Sequence, residues 1–246
     1  MVVIGDKNRV LNYLEERYGK EFDLVEQYNA VGTSRETQMR FPVWAFPVDD
    51  PDTLFKVWDD KNEYTGANFT DNYVETQLAS QAEALLNNEL EAAGIKAVSY
   101  CMLTLYKPNP SKEEIAMMTG NENLMEFLAG RPSAIRLSFY IAIYDTEPSL
   151  DALEKGIAAA FKSLNETAFG NVEIGYHFLM VETDTVDAFK QEVARNGIEM
   201  YREFQNAVIT APMRAEEAGS FSSEEGYQKP LRDSLKPLLE RRDSRD

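Results

Sequence analysis

The chain has 246 residues, with 25 Lys and Arg against 42 Asp and Glu, so its formal net charge at pH 7 is −17. Hydrophobic residues make up 43% of the chain, which is enough for a sizeable core and excludes wholesale disorder. The negative charge argues against nucleic-acid binding, and one Cys with one His exclude a disulfide framework and a Cys/His zinc site.

The first residues predict a helix followed by three strands. Apolar side chains recur at helical spacing over 6–18, and Gly19 is typical of a helix end. The extended segments that follow are 22–28, 39–46 and 53–58. Pro42 and Pro47 favour a sheet edge for the middle segment, because proline cannot donate to a strand ladder.

A long helix and a strand complete this half of the chain. Helical periodicity over 70–93 ends at Gly94, a good C-cap. The glutamates predicted to lie mainly outside its buried stripe are Glu75, Glu83 and Glu89. The segment 97–106 is apolar on both faces, which favours a central strand.

The later residues predict the order β-α-β-α over 133–206. Strict alternation marks strands over 135–144 and 172–180, Ser149 caps the helix between them, and a second helix follows from Thr183 or Thr185. The predicted organisation is an α-β-β-β-α-β half over 1–107, a helical connection over 108–132, a β-α-β-α half over 133–214, and a polar, partly disordered tail over 215–246. The two halves are one continuous unit or two closely packed ones. The fold class is α+β, with a mixed or mainly antiparallel sheet and helices layered on one side.

The first hundred residues carry a resemblance to known families. The run from Tyr13 to Gly19, then Phe22, then the strand residues Phe55 to Val57, resembles the layout of PepSY-type modules. With the later run Asp71 to Tyr73, the chain is also similar to uncharacterised lipoprotein-like families of Gram-positive bacteria. The resemblance implies a small sheet packed on a helix, without a known catalytic centre, often at the cell surface. The chain departs from the lipoprotein pattern because no lipobox cysteine lies near its start.

The cellular compartment is inferred from the start of the chain. No signal peptide follows Met1, and no apolar stretch approaches the roughly 20 residues that span a bilayer. We expect a cytoplasmic protein if Met1 is the natural start, and a cell-surface protein if the start was trimmed.

Residues suited to acid–base or thiol chemistry are few. His177 shares a strand face with Glu173, which would orient it as a general base, but no Gly-x-Ser-x-Gly motif supplies a serine. The alternative is a half-buried structural histidine. Cys101 lies in an apolar strand and is expected to be inert, and a Cys–His couple would require both side chains on one sheet face. We predict no catalytic site, and His177 and Glu173 are the first residues to test for chemistry.

Carboxylates are abundant and raise the question of a metal. Asp49, Asp50 and Asp52 flank a proline turn, and hard cations need several oxygen ligands. No EF-hand pattern follows, so solvated loop acids are the preferred interpretation, and no metal or cofactor is predicted. A carboxylate-dependent enzyme, with or without a divalent metal, remains the alternative.

Aromatic residues interleave with these acids. Trp44, Trp58 and Tyr64 would form, if exposed, the aromatic and acidic surface that binds a basic protein partner. The alternative is that they pack in the core. The sequence therefore favours a non-enzymatic acidic interaction protein, although acidity that only maintains solubility fits equally well.

Overall fold

The structure is a computed structural model, and it describes residues 4–25, 38–40, 42–59, 68–105, 117–129, 135–144, 149–167, 172–180 and 210–214, together with 233, 236 and 240. The described strands are β1 (Ile4–Asp6), β2 (Phe22–Leu24), β3 (Gln38–Arg40), β4 (Val43–Pro47), β5 (Phe55–Trp58), β6 (Thr70–Asp71), β7 (Ala97–Leu105), β8 (Ile135–Ile143), β9 (Val172–Met180) and β10 (Thr210–Arg214). The described helices are α1 (Lys7–Tyr18), α2 (Tyr73–Ala92), α3 (Leu124–Ala129) and α4 (Leu150–Thr167). The predicted α+β class is confirmed.

The chain divides into two compact units. Unit 1 comprises Met1–Gln77 and Pro110–Glu122, and unit 2 comprises Leu78–Asn109 and Asn123–Asp246. The chain passes between the units inside helix α2, after Gln77, and again after Asn109 and after Glu122, both within the predicted connection over 108–132. The crossing inside α2 was not predicted, and it reflects strand β7, which pairs along its whole length with β8 and so belongs to the sheet of unit 2.

Unit 1 contains an antiparallel sheet in the order β2-β4-β5-β6 and a small pair formed by β1 and β3. The predicted segment 39–46 is divided between β3 and β4, and β4 lies inside the described sheet. Its predicted edge position was wrong, because Pro42 lies outside β4 and Pro47 is its last residue, paired with Phe22. Neither proline removes a donor from the middle of the ladder.

The core of unit 1 is built around Tyr73, at the start of α2, which is fully buried. Its ring centroid lies 4.7 Å from that of Tyr18, 4.9 Å from that of Phe55 and 5.2 Å from that of Phe22. These rings meet edge-on or tilted, as aromatic pairs prefer. Helix α1 adds Val10 and Leu14, the buried residues of its predicted apolar stripe.

Unit 2 contains a mixed sheet in the order β10-β9-β8-β7, in which only the β8–β9 pair is parallel among the described strands. Both faces of β8 are buried over most of its length. Strand β7 was predicted to be central, whereas in the described sheet it lies at the edge. Its apolar sequence reflects the cover over the strand, because Cys101 and Leu103 are buried although β8 is its one neighbour in the described sheet.

The helix predicted after Ser149 is confirmed as α4. The Ser149 hydroxyl accepts a hydrogen bond from the Ala152 amide at 3.3 Å, as an N-cap should. The strand predicted over 172–180 is confirmed as β9, whereas β10 was not predicted. The second helix expected from Thr183 or Thr185 and most of the tail over 215–246 lie outside the described residues. None of the described helices is long and apolar enough to cross a membrane.

Helices α2 and α4 approach each other closely at Gly156. A Cβ atom on this residue would lie 3.0 Å from the Glu89 carbonyl oxygen and 3.3 Å from the Leu90 Cα. Because both facing atoms belong to the backbone of α2, neither can turn aside as a side chain would.

We therefore expect Gly156→Val to lower the free energy of unfolding by about 2 kcal/mol or more through overpacking. Ala159→Val, at a partly exposed position of the same helix, should cost no more than about 0.7 kcal/mol of helix propensity. Urea denaturation of both variants measures the difference. Equal losses would show that the close approach has no energetic consequence.

Candidate functional site

The predicted acidic residues lie on an exposed turn between β4 and β5, here called the acidic turn. Its residues, all exposed, are Val48, Asp49, Asp50, Pro51 and Asp52. The amide of Asp50 donates to the carbonyl of Pro47 at 3.0 Å, and the amide of Thr53 donates to the carbonyl of Asp50 at 3.2 Å. The Thr53 hydroxyl also donates to Asp50 Oδ2 at 2.6 Å. These bonds hold the turn in one conformation, and the Val48 side chain, 47% exposed, lies at its start.

The predicted aromatic residues do not join this surface. Trp44 is 8% exposed, and the Lys56 ammonium lies 4.6 Å from its ring centroid. Trp44 therefore packs in the core, which was the alternative interpretation of the sequence, and it cannot anchor a partner. Trp58 is partly exposed and is the last residue of β5, whereas the acidic turn precedes the first residue of that strand. Tyr64 lies outside the described residues.

The described residues do not form a set of metal ligands. No group of three His, Cys, Asp or Glu side chains there is placed to hold a metal ion. In the acidic turn, the Asp50 carboxylate already accepts the Thr53 hydroxyl.

His177 and Glu173 lie on β9, where the backbone gives their register positions. His177 is aligned with Tyr140 of β8, and Glu173 is aligned with Arg136. Cys101 of β7 is aligned with Phe139, one residue away from Tyr140, so its position faces the other side of the sheet. The register thus places the positions of Cys101 and His177 on opposite faces of the sheet, whereas a Cys–His couple requires one face. Burial raises the pKa of the Cys101 thiol well above its usual value, as expected for an inert thiol.

A cluster of polar side chains around Asp71 is the strongest candidate site, and the sequence did not predict it. We call it the Asp71 cluster, and its members are Tyr13, Arg17, Tyr18, Asp71 and Glu75. The Tyr13 hydroxyl donates to Asp71 Oδ2 at 2.5 Å, and the Tyr18 hydroxyl donates to Asp71 Oδ1 at 2.6 Å. Arg17 Nε lies 3.7 Å from Asp71 Oδ2 as an ion pair. The Asp71 side chain is 1% exposed and that of Arg17 is 15% exposed.

Two short elements bring these groups together. Tyr13 and Arg17 are four residues apart on α1 and so share one face, with Tyr18 beside them. Asp71 ends β6, and its Oδ1 also accepts the backbone amide of Tyr73 at 3.0 Å. The carboxylate thus sits at the N-terminus of α2, where the helix dipole favours negative charge.

The cluster lies in an environment that perturbs its titration. Burial, reinforced by the charge of Asp71, raises the pKa of Tyr13 and of Tyr18, so both stay protonated donors at neutral pH. Burial also raises the pKa of Glu75 to about 7; Asp71 reinforces the rise, while the backbone amide of Glu75 and the charge of Arg17 oppose it. Glu75 is therefore a carboxyl group that exchanges a proton near neutral pH. Such a group in this setting is typical of functional sites, although structural networks produce it as well.

The charges of the acidic turn act on Tyr73, in the core of unit 1. Its hydroxyl accepts a hydrogen bond from Lys20 Nζ at 3.3 Å. Burial, followed by the charges of Asp49 and Asp50, raises the pKa of Tyr73 to about 12. Gly120 has a positive φ of 74°, and a Cβ atom there would collide with the Tyr73 ring, so only glycine fits this position.

The sequence placed Glu75 mainly outside the buried stripe of its helix, and Glu75 is indeed partly exposed, but the sequence did not indicate its raised pKa. The apolar periodicity of α2 identifies Tyr73, Val74 and Leu78 as buried, but it carries no information about what covers the neighbouring positions. Asp71 appeared only within the run that resembles lipoprotein-like families. The spacing of Tyr13 and Arg17 on one helical face was the available signal, and it does not identify their partner.

Comparison with known proteins supports the fold. No family model matches the chain, and no curated protein is significantly similar to it in sequence. A solved structure that resembles it is the crystal structure of a DUF5037 family protein from Ruminococcus gnavus ATCC 29149. The TM-score is 0.52 at 11% sequence identity, and the match covers 92% of this chain and 98% of the other. At this identity the likeness shows the α+β fold alone. The resemblance to PepSY-type modules stays a prediction.

Asp71→Asn should destabilise unit 1, because the amide keeps the size of the side chain but removes the anion that Arg17 and the tyrosines surround. We expect a loss of about 3 kcal/mol in the free energy of unfolding, typical of breaking a buried ion pair. The matched control is Asp23→Asn, which removes an exposed pair with Lys7 at 3.1 Å and should cost about 1 kcal/mol or less. Chemical denaturation measures the free energy of unfolding of both variants. Similar losses of stability in the two would contradict a stabilising role for the Asp71 cluster.

Glu75 should make stability depend on pH. Its pKa rises from 4.5 when unfolded to about 7 when folded, so the folded state holds the proton more tightly. Stability from this group is fully present below pH 4.5 and is lost as pH rises towards 7, by about 3 kcal/mol at most. Glu75→Gln should remove this part of the pH dependence when unfolding is measured between pH 5 and pH 8. Glu15→Gln, at an exposed position, should leave it unchanged; an identical pH profile for wild type and Glu75→Gln would refute the assignment.

Proposed function

We propose that the protein is a non-enzymatic interaction protein, and that the acidic turn binds a basic segment of a partner protein. The observation that carries this proposal is the turn itself, in which three exposed aspartates directly follow an exposed valine. Charge steers a basic partner towards such a surface, and the apolar group adds contact area once the partner arrives.

The rigidity of the turn supports the same function. Its backbone is bonded at Pro47, Asp50 and Thr53, and the Val48 amide donates to the carbonyl of Glu21 at 3.0 Å. A surface that is already ordered loses little conformational entropy when it binds. Glu21 is exposed and adds a further carboxylate beside the turn.

The Asp71 cluster serves this function as a support. It fastens helix α1 to the start of α2, whose Tyr73 ring packs beneath the same sheet that carries the turn. The resemblance of the first hundred residues to PepSY-type modules agrees with a binding role, because it implies a module without a known catalytic centre. A cytoplasmic location stays a prediction.

The proposal is tested with a short fluorescent peptide that repeats Lys-Lys-Leu, read by anisotropy. Asp49→Asn combined with Asp52→Asn should weaken binding about tenfold at low salt, because two carboxylate contacts are lost. Asp50 is left intact because it holds Thr53. Binding should also fall as salt rises from 50 to 500 mM.

The matched control removes two charges elsewhere, through Glu15→Gln combined with Glu16→Gln, both exposed on α1. This variant has the same net charge and should bind the peptide almost as wild type does. An equal loss in both double variants would mean that net charge alone attracts the peptide, and would overturn the proposal. Binding that ignores salt would overturn it as well.

A carboxylate-dependent enzyme is the second candidate, and Glu75 is the observation that favours it. A carboxyl group with a pKa near 7 is suited to general acid–base catalysis at neutral pH. Thermal stabilisation by Mg²⁺, Ca²⁺ or Zn²⁺ that disappears when Asp49, Asp50 and Asp52 are replaced would favour the metal-dependent form of this candidate.

A further inference from the structure

An ammonium group of the chain itself lies against the Tyr73 hydroxyl. Lys20 Nζ donates to this hydroxyl at 3.3 Å and lies 5.9 Å from the centroid of the Tyr73 ring, within the range of cation–π attraction. Tyr73 is fully buried, whereas Lys20 is only partly buried. The lysine side chain is therefore part of the cover that separates the hydroxyl from solvent.

Backbone hydrogen bonding brings Lys20 to the start of the acidic turn. The Val48 amide donates to the Glu21 carbonyl at 3.0 Å, which continues the β2–β4 ladder by one residue pair. Lys20 directly precedes Glu21, and Asp49 directly follows Val48. The lysine and the first aspartate of the turn thus start from adjoining positions at the end of this ladder.

A second segment of unit 1 adds a carboxylate near the same hydroxyl. A Cβ atom on Gly120 would lie 3.2 Å from Tyr73 Cζ, the ring carbon that carries the hydroxyl, and Glu122 follows two residues later. After burial, the charges of Asp49, Asp50 and Glu122 contribute most to the raised pKa of Tyr73. Carboxylates from two segments therefore favour a cation at the position that the Lys20 ammonium occupies.

We infer that Lys20 is a tethered competitor, whose ammonium occupies the position that a lysine ammonium of the basic partner segment takes in the complex. This inference rests on the proposed function of the acidic turn. The occupant follows from charge complementarity and from the group already present, because a partner lysine offers the same three N–H donors as Lys20. The partner has to displace a cation that its own chain holds at high effective concentration, so Lys20 weakens binding.

Lys20→Met removes the competing charge and keeps a side chain of similar length. This variant should bind the Lys-Lys-Leu peptide about fivefold more tightly than wild type, because the partner lysine no longer displaces a charged hydrogen-bond donor. The matched control is Lys7→Met, which changes the net charge equally within unit 1 but removes a pair with Asp23 at 3.1 Å. It should change the affinity less than about twofold.

Tyr73→Phe tests the position itself, since it keeps the buried ring and removes only the hydroxyl that Lys20 contacts. In this background Lys20→Met should strengthen peptide binding less than about twofold, because neither ammonium finds its acceptor there. An undiminished gain would show that Lys20 acts through its charge alone and would overturn the inference. Thermal unfolding of each variant establishes that it is folded.

A free ammonium provides a test that needs no variant of Tyr73. n-Propylammonium supplies the atoms that Lys20→Ala removes, and at about 50 mM it should raise the midpoint of thermal unfolding of this variant by about 2 °C. The midpoint of the wild type, whose position is occupied, should not rise. Tetramethylammonium carries the same charge without an N–H donor and should have no such effect. Equal shifts with the two cations, or no shift in Lys20→Ala, overturn the inference.

The two proposals fail in different ways. If the variant with Asp49→Asn and Asp52→Asn loses peptide binding while Lys20→Met gains none, the acidic turn binds the basic segment and Lys20 does not compete with it. If the variant of the acidic turn binds as wild type does, the proposed function fails together with its partner lysine. The propylammonium shift in Lys20→Ala does not depend on that result.

Discussion

A buried carboxylate is the interaction on which unit 1 depends. Removing the charge of Asp71 from water costs several kcal/mol, and this cost must be offset within the protein. Two tyrosine hydroxyls, one backbone amide and the guanidinium of Arg17 do so, and each comes from a position that the fold must hold in place. Because the donors lie on α1 and at the start of α2, satisfying the carboxylate also fixes the two helices against each other.

The acids of unit 1 thus have two distinct roles. Those of the acidic turn are exposed and act through their field on what approaches the molecule. Asp71 is buried and acts through hydrogen bonds on what holds the molecule together. Glu75 lies between these extremes, since burial brings its pKa to about 7. Net charge alone does not reveal this division.

In unit 2, the polar side chains of α2 serve the backbone of neighbouring elements. Glu83 and Asn87 accept amides of β7, and Gln81 Oε1 accepts the amide of Leu124 at 2.8 Å, at the start of α3. Helix starts and strand edges both leave backbone donors without partners inside their own element. One helix with acceptors at suitable positions satisfies both, and the polar residues that a periodicity analysis assigns to solvent are used for this purpose.

The sequence by itself determined the α+β class, the apolar stripes of α1 and α4, and the strands β8 and β9, because the spacing of apolar residues follows directly from the geometry of helix and strand. It also located the acidic turn, since proline and aspartate act locally. Only the tertiary structure decided that β7 lies at the edge of the described sheet, that Trp44 is buried, and that the pKa of Glu75 is raised. It also brought Asp71 to Tyr13 and Tyr18, more than 50 residues away in the chain. The burial of a polar group and the identity of its partners depend on segments distant in sequence. The local periodicity of apolar residues contains no information about those segments.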